Sequence, residues 1–597
     1  MSGEEASVYW ATCDRSDCIG AAISPWSSCL AHLESDQFIE TLDQWAKGGS
    51  LDARGTRISG QLLARILDAA PRTQRNRPQL KDMLFSRATF DYAEFRGATF
   101  TDRAQFDGAT FAGLAAFNGT TFADGASFIG ATFSSHVWFD SATFANTVMF
   151  TEATFGHQAT FIGATFGDLA FINGATFANI VMFTEATFGH QAFFDRTTFS
   201  DQALFDGATF RGNVSFQLAV FHGNVTLGFA TLEGLQNLGS FSVGGLLDLD
   251  ACSFLHHTQI EVSARSLSLM RTRFTQGVVL RVRWAEINLD LTDFGAPSVV
   301  SGSPPFRELS EDDLKSRVGE TRSDTPRLVS LRGANVAHLV VSNADLRACR
   351  FGIAHNLDRL RIEGETAFAY PPRGRIPRRR WTRRKTIAEE HQWRARRAKT
   401  PGPIHSLKRL FRPGDGWNPR ECQPSDQFTD AEHGETEEPA PRQLAAIYRA
   451  LRKGREDSKD APGAADFYYG EMEMRRNDIE SPRAERWLLW LYWLTSGYGL
   501  RASRSFACLI TTVLVISGFM YAWGFPSESH HWIFTSEVHT SFATALTFCA
   551  QSTIGLFRQP TSQALTRTGE WLEIALRVLG PVFIGLAVLS LRGRVKR

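Results

Sequence analysis

Cysteine is scarce, eight in 597 residues, too few for a disulfide framework, so a reducing, cytosolic setting is expected for the N-terminal bulk. The first residues, Met1 to Val8, hold no apolar run and carry Glu4 and Glu5, so no secretory leader is expected. No Ser/His/Asp arrangement, phosphate-binding loop or carboxylate pair emerges, and the expectation is a non-enzymatic protein with no organic cofactor. Net charge is only +1, although basic and acidic residues are segregated into blocks. A chain of this length exceeds one core, so several domains are expected.

What is abundant is phenylalanine, 47 residues, set at a fixed interval. Every eleventh residue from Phe100 to Phe221 is Phe. A second series runs from Phe95 to Leu227, with Ile172 and Leu227 as its large apolar exceptions. The recurring words are Gly-Ala-Thr-Phe, as at Gly97 to Phe100 and Gly163 to Phe166, and Ala-x-Phe, as at Ala104 to Phe106. An 11-residue period also suits a right-handed coiled coil. Here Gly, Thr, Asn and Asp surround the Phe positions, and all are poor helix formers. Short strands punctuated by turns fit better.

These words resemble the pentapeptide-repeat family, in which a large residue centres each five-residue face with Ala two positions earlier. The resemblance implies a mainly β, right-handed quadrilateral β-solenoid, roughly 22 residues per coil, with coils stacked at roughly 4.8 Å. Phe would then form internal ladders. Beyond Leu227 the period decays, but apolar words such as Leu246 to Leu249 and Leu339 to Val341 continue it to about Phe368, with a Pro- and Ser-rich insert from about Pro297 to Pro326. The string Met149 to Ala159 recurs as Met182 to Ala192. Its His157 and His190 lie one and a half coils apart, on opposite walls, and are not expected to share a metal. Acidic residues outnumber basic ones between Phe85 and Leu227, so the DNA-mimic role of family members that protect gyrase is a further reading, with a topoisomerase as partner.

Before the repeats, Cys13, Cys18, Cys29 and His32 are spaced C-x4-C-x10-C-x2-H. Three thiolates and an imidazole can close a structural zinc site with no open position. The apolar stripe Leu62, Leu63, Ile66, Leu67 predicts a helix over Gly60 to Ala69 that covers the first coil.

After the repeats, fifteen Lys and Arg lie between Arg373 and Arg412. Arg378, Arg379, Arg380, Arg383, Arg384 and Lys385 are candidates to bind anionic lipid headgroups, and nucleic acid is the less favoured partner. Pro413 to Pro441 is acidic and reads as a flexible linker. Arg442 to Lys453 and Gly463 to Arg476 read as helices that pack on each other or on a neighbouring subunit.

Ser505 to Trp523 holds nineteen uncharged residues, and Trp571 to Leu591 is a second span containing Glu573 and Arg577 at i,i+4 spacing. Arg501 and Arg504 precede the first span, and Arg592, Arg594, Lys596 and Arg597 follow the second. This predicts a multi-pass cell-membrane protein with solenoid and both termini cytoplasmic. Trp487 to Leu494 suits an interfacial helix.

Between the spans, Ser541 to Gln551 predicts a re-entrant helix leading into Thr553, Ile554, Gly555, Leu556 and Phe557. The order span, short helix, Thr-x-Gly strand, span resembles the two-helix potassium-channel pore, whose filter is TVGYG. Leu556 and Phe557 depart from that filter, and Phe cannot supply the φ > 0 that Gly supplies. Thr495 to Gly499 matches by letter but precedes the first span, and reads as a helix-terminating turn.

The expected organisation is a zinc-binding cap over 1–80, a regular solenoid over 81–230, its degenerate continuation over 231–370, a linker over 371–440, a helical juxtamembrane region over 441–500 and a channel-like membrane domain over 501–597. The leading functional expectation is a degenerate ion-channel-like pore, tetrameric if it conducts, with the solenoid as sensor or recruitment arm for an unidentified protein. The alternative is a non-conducting membrane-anchored scaffold.

Overall fold

The computed structural model describes residues 9–304, 323–371, 384–399, 422, 440–525, 541–555 and 565–595. The chain divides into two compact units, Met1–Ala369 with Ile387–Thr436, and Tyr370–Thr386 with Glu437–Arg597.

The first unit is a mainly β parallel solenoid of about twelve turns. Each Thr-Phe pair is a two-residue strand, such as Thr121–Phe122, bonded in parallel to its equivalent one coil later, Thr143–Phe144. The strands are short because the chain reverses through left-handed corners. Gly97, Gly119, Gly163 and Gly207 occupy them at φ between 62° and 68°, where a residue without Cβ pays no steric cost.

Phe from each eleven-residue series divides between two ladders, so four ladders fill the interior. Rings within a ladder stack almost parallel, as in Phe106 on Phe128 (4.8 Å, 1°) and Phe166 on Phe188 (4.6 Å, 1°). Rings of adjacent ladders meet edge to face, as in Phe117 against Phe128 (86°). The ladder Phe are fully buried, and Ile172 keeps its ladder place at 1% exposure. Each ring contributes up to roughly 3 kcal/mol by burial, and each aromatic pair roughly 1 kcal/mol more.

The continuation past Leu227 is solenoid, with a shorter coil. Strand Gln236–Asp248 pairs with Thr258–Ser268 through two register shifts. Gln236 lies opposite Thr258, Ser240 opposite Glu261, and Leu246 opposite Ser266, so one residue is lost at each shift. Gly239, and Gly244 with Gly245, stand at these irregularities, where a bulge needs backbone freedom. From there the coil is 20 residues, and Phe254, Phe274 and Phe294 stack in the new register. The expected insert begins later than Pro297: Ser298–Gly302 is a strand paired with Leu339–Ser342. Residues 305–322 lie outside the described residues.

Helices α1 (Ser35–Ala46) and α2 (Gly60–Ala69) precede the regular coils. The Ser59 hydroxyl caps α2 by accepting from the Leu62 amide at 3.2 Å, and Leu63 and Ile66 are buried, so α2 covers the early coils as its stripe predicts. At the far end sits α3 (Ala388–Lys399), within the segment expected as flexible linker. Its first turn is buried, and the Glu389 carboxylate accepts from the amides of Phe351 and Gly352.

The second unit is helical. α4 (Pro441–Asp457) and α5 (Ala461–Asn477) pack on each other through Leu444, Tyr448, Leu451, Phe467 and Met474, with Arg449 and Arg452 both paired to the buried Glu471. α6 (Arg483–Ser496) ends in a left-handed turn at Gly497, Tyr498 and Gly499, the helix stop read from the sequence. α6 leaves Trp487 70% and Leu488 66% exposed. α7 (Ala502–Phe519), extended by a wider turn to Gly524, and α9 (Arg567–Val595) hold two segments long and apolar enough to cross a membrane, Ala502–Gly524 and Arg567–Leu591.

Candidate metal centre

The two halves of the Cys-His pattern come from different loops. Cys13 and Cys18 lie in a hairpin closed by the antiparallel bridge Thr12 to Ala21 and by the Cys13 amide on the Gly20 carbonyl at 2.8 Å. Cys29 and His32 form a tight turn in which the His32 amide bonds the Cys29 carbonyl at 2.8 Å. The Asp14 carboxylate ties the loops together by accepting from the hydroxyls of Ser27 (3.2 Å) and Ser28 (3.0 Å). The Ser28 bond, ahead of the others, holds the Asp14 carboxyl below its ordinary value.

The four side chains converge. All four donor atoms lie within 4.8 Å of one another. His32 Nδ1 is 3.4 Å from both Cys13 Sγ and Cys29 Sγ, and Cys18 Sγ is 3.6 Å from Cys29 Sγ. Cys13 and Cys29 are buried, while Cys18 and His32 are partly open. Burial, with the neighbouring Cys18 and Cys13 sulfurs, pushes the Cys29 thiol up to about 12. A cation among the sulfurs reverses that preference and holds the thiolate. The cluster can therefore bind a metal such as zinc.

The cluster abuts the first coil. A Cβ on Gly20 would lie 2.7 Å from Cys29 Cβ and 3.1 Å from Thr56 Oγ1. The Ala21 amide donates to the Arg54 carbonyl at 2.8 Å, between the strands Leu51–Asp52 and Arg57–Ile58 that begin the sheets. Gly20 carries no chemistry of its own, and nothing in its sequence surroundings marks it.

The other candidate residues fare differently. His157 precedes strand Ala159–Thr160 and His190 lies beside Gln191–Phe193, in different sheets. His157 instead stacks on His136 at 5.4 Å, a pair that the repeated string does not point to. Among the lipid-binding candidates, Arg378, Arg379, Arg380 and Arg383 lie outside the described residues. Arg384 departs from the expectation. It is 4% exposed, its guanidinium lies over the Tyr448 and Tyr469 rings, and it donates to the Tyr448 hydroxyl at 3.3 Å. Aromatic faces hold it inward. The Lys385 amide donates to Asp466 at 3.1 Å.

In the second unit, α8 (Phe542–Ile554) packs against both long helices, through Ala545, Phe548 and Cys549 with Ile516, Met520 and Leu576. Its thirteen residues are too few to cross a bilayer. Thr566 and Thr568 donate to the Trp523 carbonyl at 2.6 and 2.8 Å, tying the start of α9 to the end of the first segment. Glu573 and Arg577 pair at 2.6 Å as their spacing predicts. The filter expectation meets a different conformation: Thr553 and Ile554 are the last turn of α8 rather than a strand. The Thr553 hydroxyl bonds back to the Cys549 carbonyl at 2.7 Å, and its methyl faces Gly580. Gly555 ends the helix, and Leu556 and Phe557 lie outside the described residues.

No match was found among the curated proteins or among the solved structures. Residues 106–154, 117–165 and 194–235 match the family model described as Pentapeptide repeats (9 copies). The chain carries pentapeptide repeats, wound into a parallel β-solenoid and followed by a helical unit with two candidate membrane helices.

Proposed function

We propose that this chain is a membrane-anchored scaffold: α7 and α9 tether it to a bilayer, and the solenoid, right-handed and four-sided as the resemblance implies, is a rigid arm that recruits a protein partner. The observation that carries this reading is the packing of α8 between α7 and α9, with Thr553 closed in helical geometry against Gly580. A filter strand has to present successive backbone carbonyls in extended conformation to an ion, whereas Thr553 lies in the last helical turn with its hydroxyl bonded back to the Cys549 carbonyl. The exposed Trp487, Leu488 and Leu491 on α6 support an interfacial seat beside the first span. Arg501 and Arg504 at the start of α7, with Arg592 and Arg594 at the end of α9, support a cytoplasmic location for both ends.

A conducting pore is the second reading, favoured by the short helix between two spans, and it requires several copies around one axis. Ion-flux measurement on the purified chain in liposomes separates the two. The scaffold predicts flux equal to that of empty liposomes, with the full chain retained in the membrane pellet after an alkaline wash and a chain ending at residue 500 released. Sustained flux overturns the scaffold in favour of the pore. Release of the full chain overturns the anchor.

A further inference from the structure

We infer that Cys13, Cys18, Cys29 and His32 hold a single zinc ion, through three thiolates and the His32 Nδ1, and that this ion locks the hairpin which seals the first coil of the solenoid. The inference is independent of how the C-terminal helices act.

The geometry selects one ion. With Zn–S of about 2.3 Å and Zn–N of about 2.0 Å, a tetrahedron has S···S edges of about 3.8 Å and S···N edges of about 3.5 Å. The observed edges are 3.6 Å for Cys18 to Cys29 and 3.4 Å from Nδ1 to the sulfurs of Cys13 and Cys29. These three of the six edges are within about 0.2 Å of those of a tetrahedral zinc site, and all four donors lie within 4.8 Å of one another. A disulfide would need the sulfurs at about 2.05 Å. An iron–sulfur cluster interposes several iron and sulfide atoms between its ligands, for which four donors within 4.8 Å leave no room. Three thiolates exclude magnesium, calcium and manganese, which take oxygen ligands, and favour zinc. Four protein donors fill the coordination sphere, so the ion is structural.

The position gives the ion its role. A solenoid end exposes unpaired strand edges and needs a cap. Residues 9–34 hold no helix or strand longer than an isolated bridge, so their own packing fixes little. Yet Gly20 touches Cys29 and Thr56, Gly55 sits against the Ile19 carbonyl, and Ala21 bonds Arg54. Fixing the four ligands fixes Ile19 to Ala21, and these residues close the edge at residues 51–58.

The test uses the full chain purified in detergent. Metal analysis is expected to give one zinc per chain, and exchange with cobalt should give the visible bands of a tetrahedral thiolate site. His32→Ala is expected to lose the metal, and His32→Cys to retain it. Chelation should raise amide exchange at residues 51–58 at least tenfold while leaving 194–235 unchanged. A folded chain with free thiols and no metal, or with a Cys18–Cys29 disulfide, overturns the site. Bound zinc whose removal leaves exchange at 51–58 unchanged overturns the sealing role. Should His32→Ala fail to fold, metal content and the cobalt spectrum of the parent and of His32→Cys still decide.

Discussion

Phe144 shows what one ladder position contributes. It is 1% exposed and lies between Phe122 (4.9 Å) and Phe166 (5.1 Å). Phe144→Ala leaves a cavity that rigid neighbouring coils cannot collapse into, and it should cost about 3–5 kcal/mol, measured by denaturant unfolding. Phe171 is a control of the same chemistry: it stacks on Phe193 at 5.2 Å but stands half-buried outside the ladders, so Phe171→Ala should cost about 1 kcal/mol. Asp248 gives a pH-dependent test. Burial first, then the Asp250 and Asp206 charges, raises its carboxyl to about 6 from the ordinary 3.8. A carboxyl whose pKa is raised in the folded state binds its proton more tightly there, so stability is greatest below the unfolded value and falls as pH rises from about 4 to about 6. Asp248→Asn should flatten that slope and stabilise the chain at pH 7 by about 1–2 kcal/mol, after allowance for solvent screening. Thermal melts of parent and variant between pH 4 and 7 check this, and parallel slopes would refute it.

The end-covering elements differ in how openly the sequence declares them. α2 spans the residues its apolar stripe predicts, because an amphipathic period is local information. α3 is hidden: Glu389 and Glu390 sit in an arginine-rich segment that reads as a solvated linker, and only the fold aims Glu389 at the amides of Phe351 and Gly352. The shortened coil is equally illegible, since its two register shifts depend on pairing between distant strands. The filter-like Thr553 and Gly555 match by letter, but Thr553 is helical with its methyl against Gly580, a long-range packing that no local spacing encodes. Cys13, Cys18, Cys29 and His32 are legible as a candidate metal-binding set because cysteine is rare elsewhere; their convergence is not. The α3 cap makes its own prediction. Glu389→Ala removes the acceptor for two amides and should expose the last coils, so exchange should rise at residues 351–355 while 121–166 stays protected. Unchanged protection at 351–355 would show that Glu389 is incidental to the cap.

For the molecule, the repeat sets what can be removed. Each coil touches chiefly its two neighbours, so solenoid stability is close to a sum over coils and their interfaces, with the ends closed by caps. The identical strings Met149 to Ala159 and Met182 to Ala192 occupy positions one and a half coils apart, on different sheets. The same side chains therefore serve on either wall, and the interior reads only the large and small alternation. Deleting Thr143 to Ala164 joins Ala142 to Thr165, which already lies opposite Thr143. All four ladders then remain in register, and both end caps keep their own coils. Such a chain should fold, with circular dichroism reduced in proportion to length and a melting temperature within a few degrees of the parent. Deleting Thr143 to Thr147 instead shifts every later strand by one face, leaving Ala and Phe positions mismatched from Val148 onward. That chain should lose cooperative melting and be cleaved within the repeats by a trace of protease. Equal tolerance of the two deletions would mean that the Phe ladders do not set the register, and that backbone pairing between coils fixes the winding whatever fills the interior.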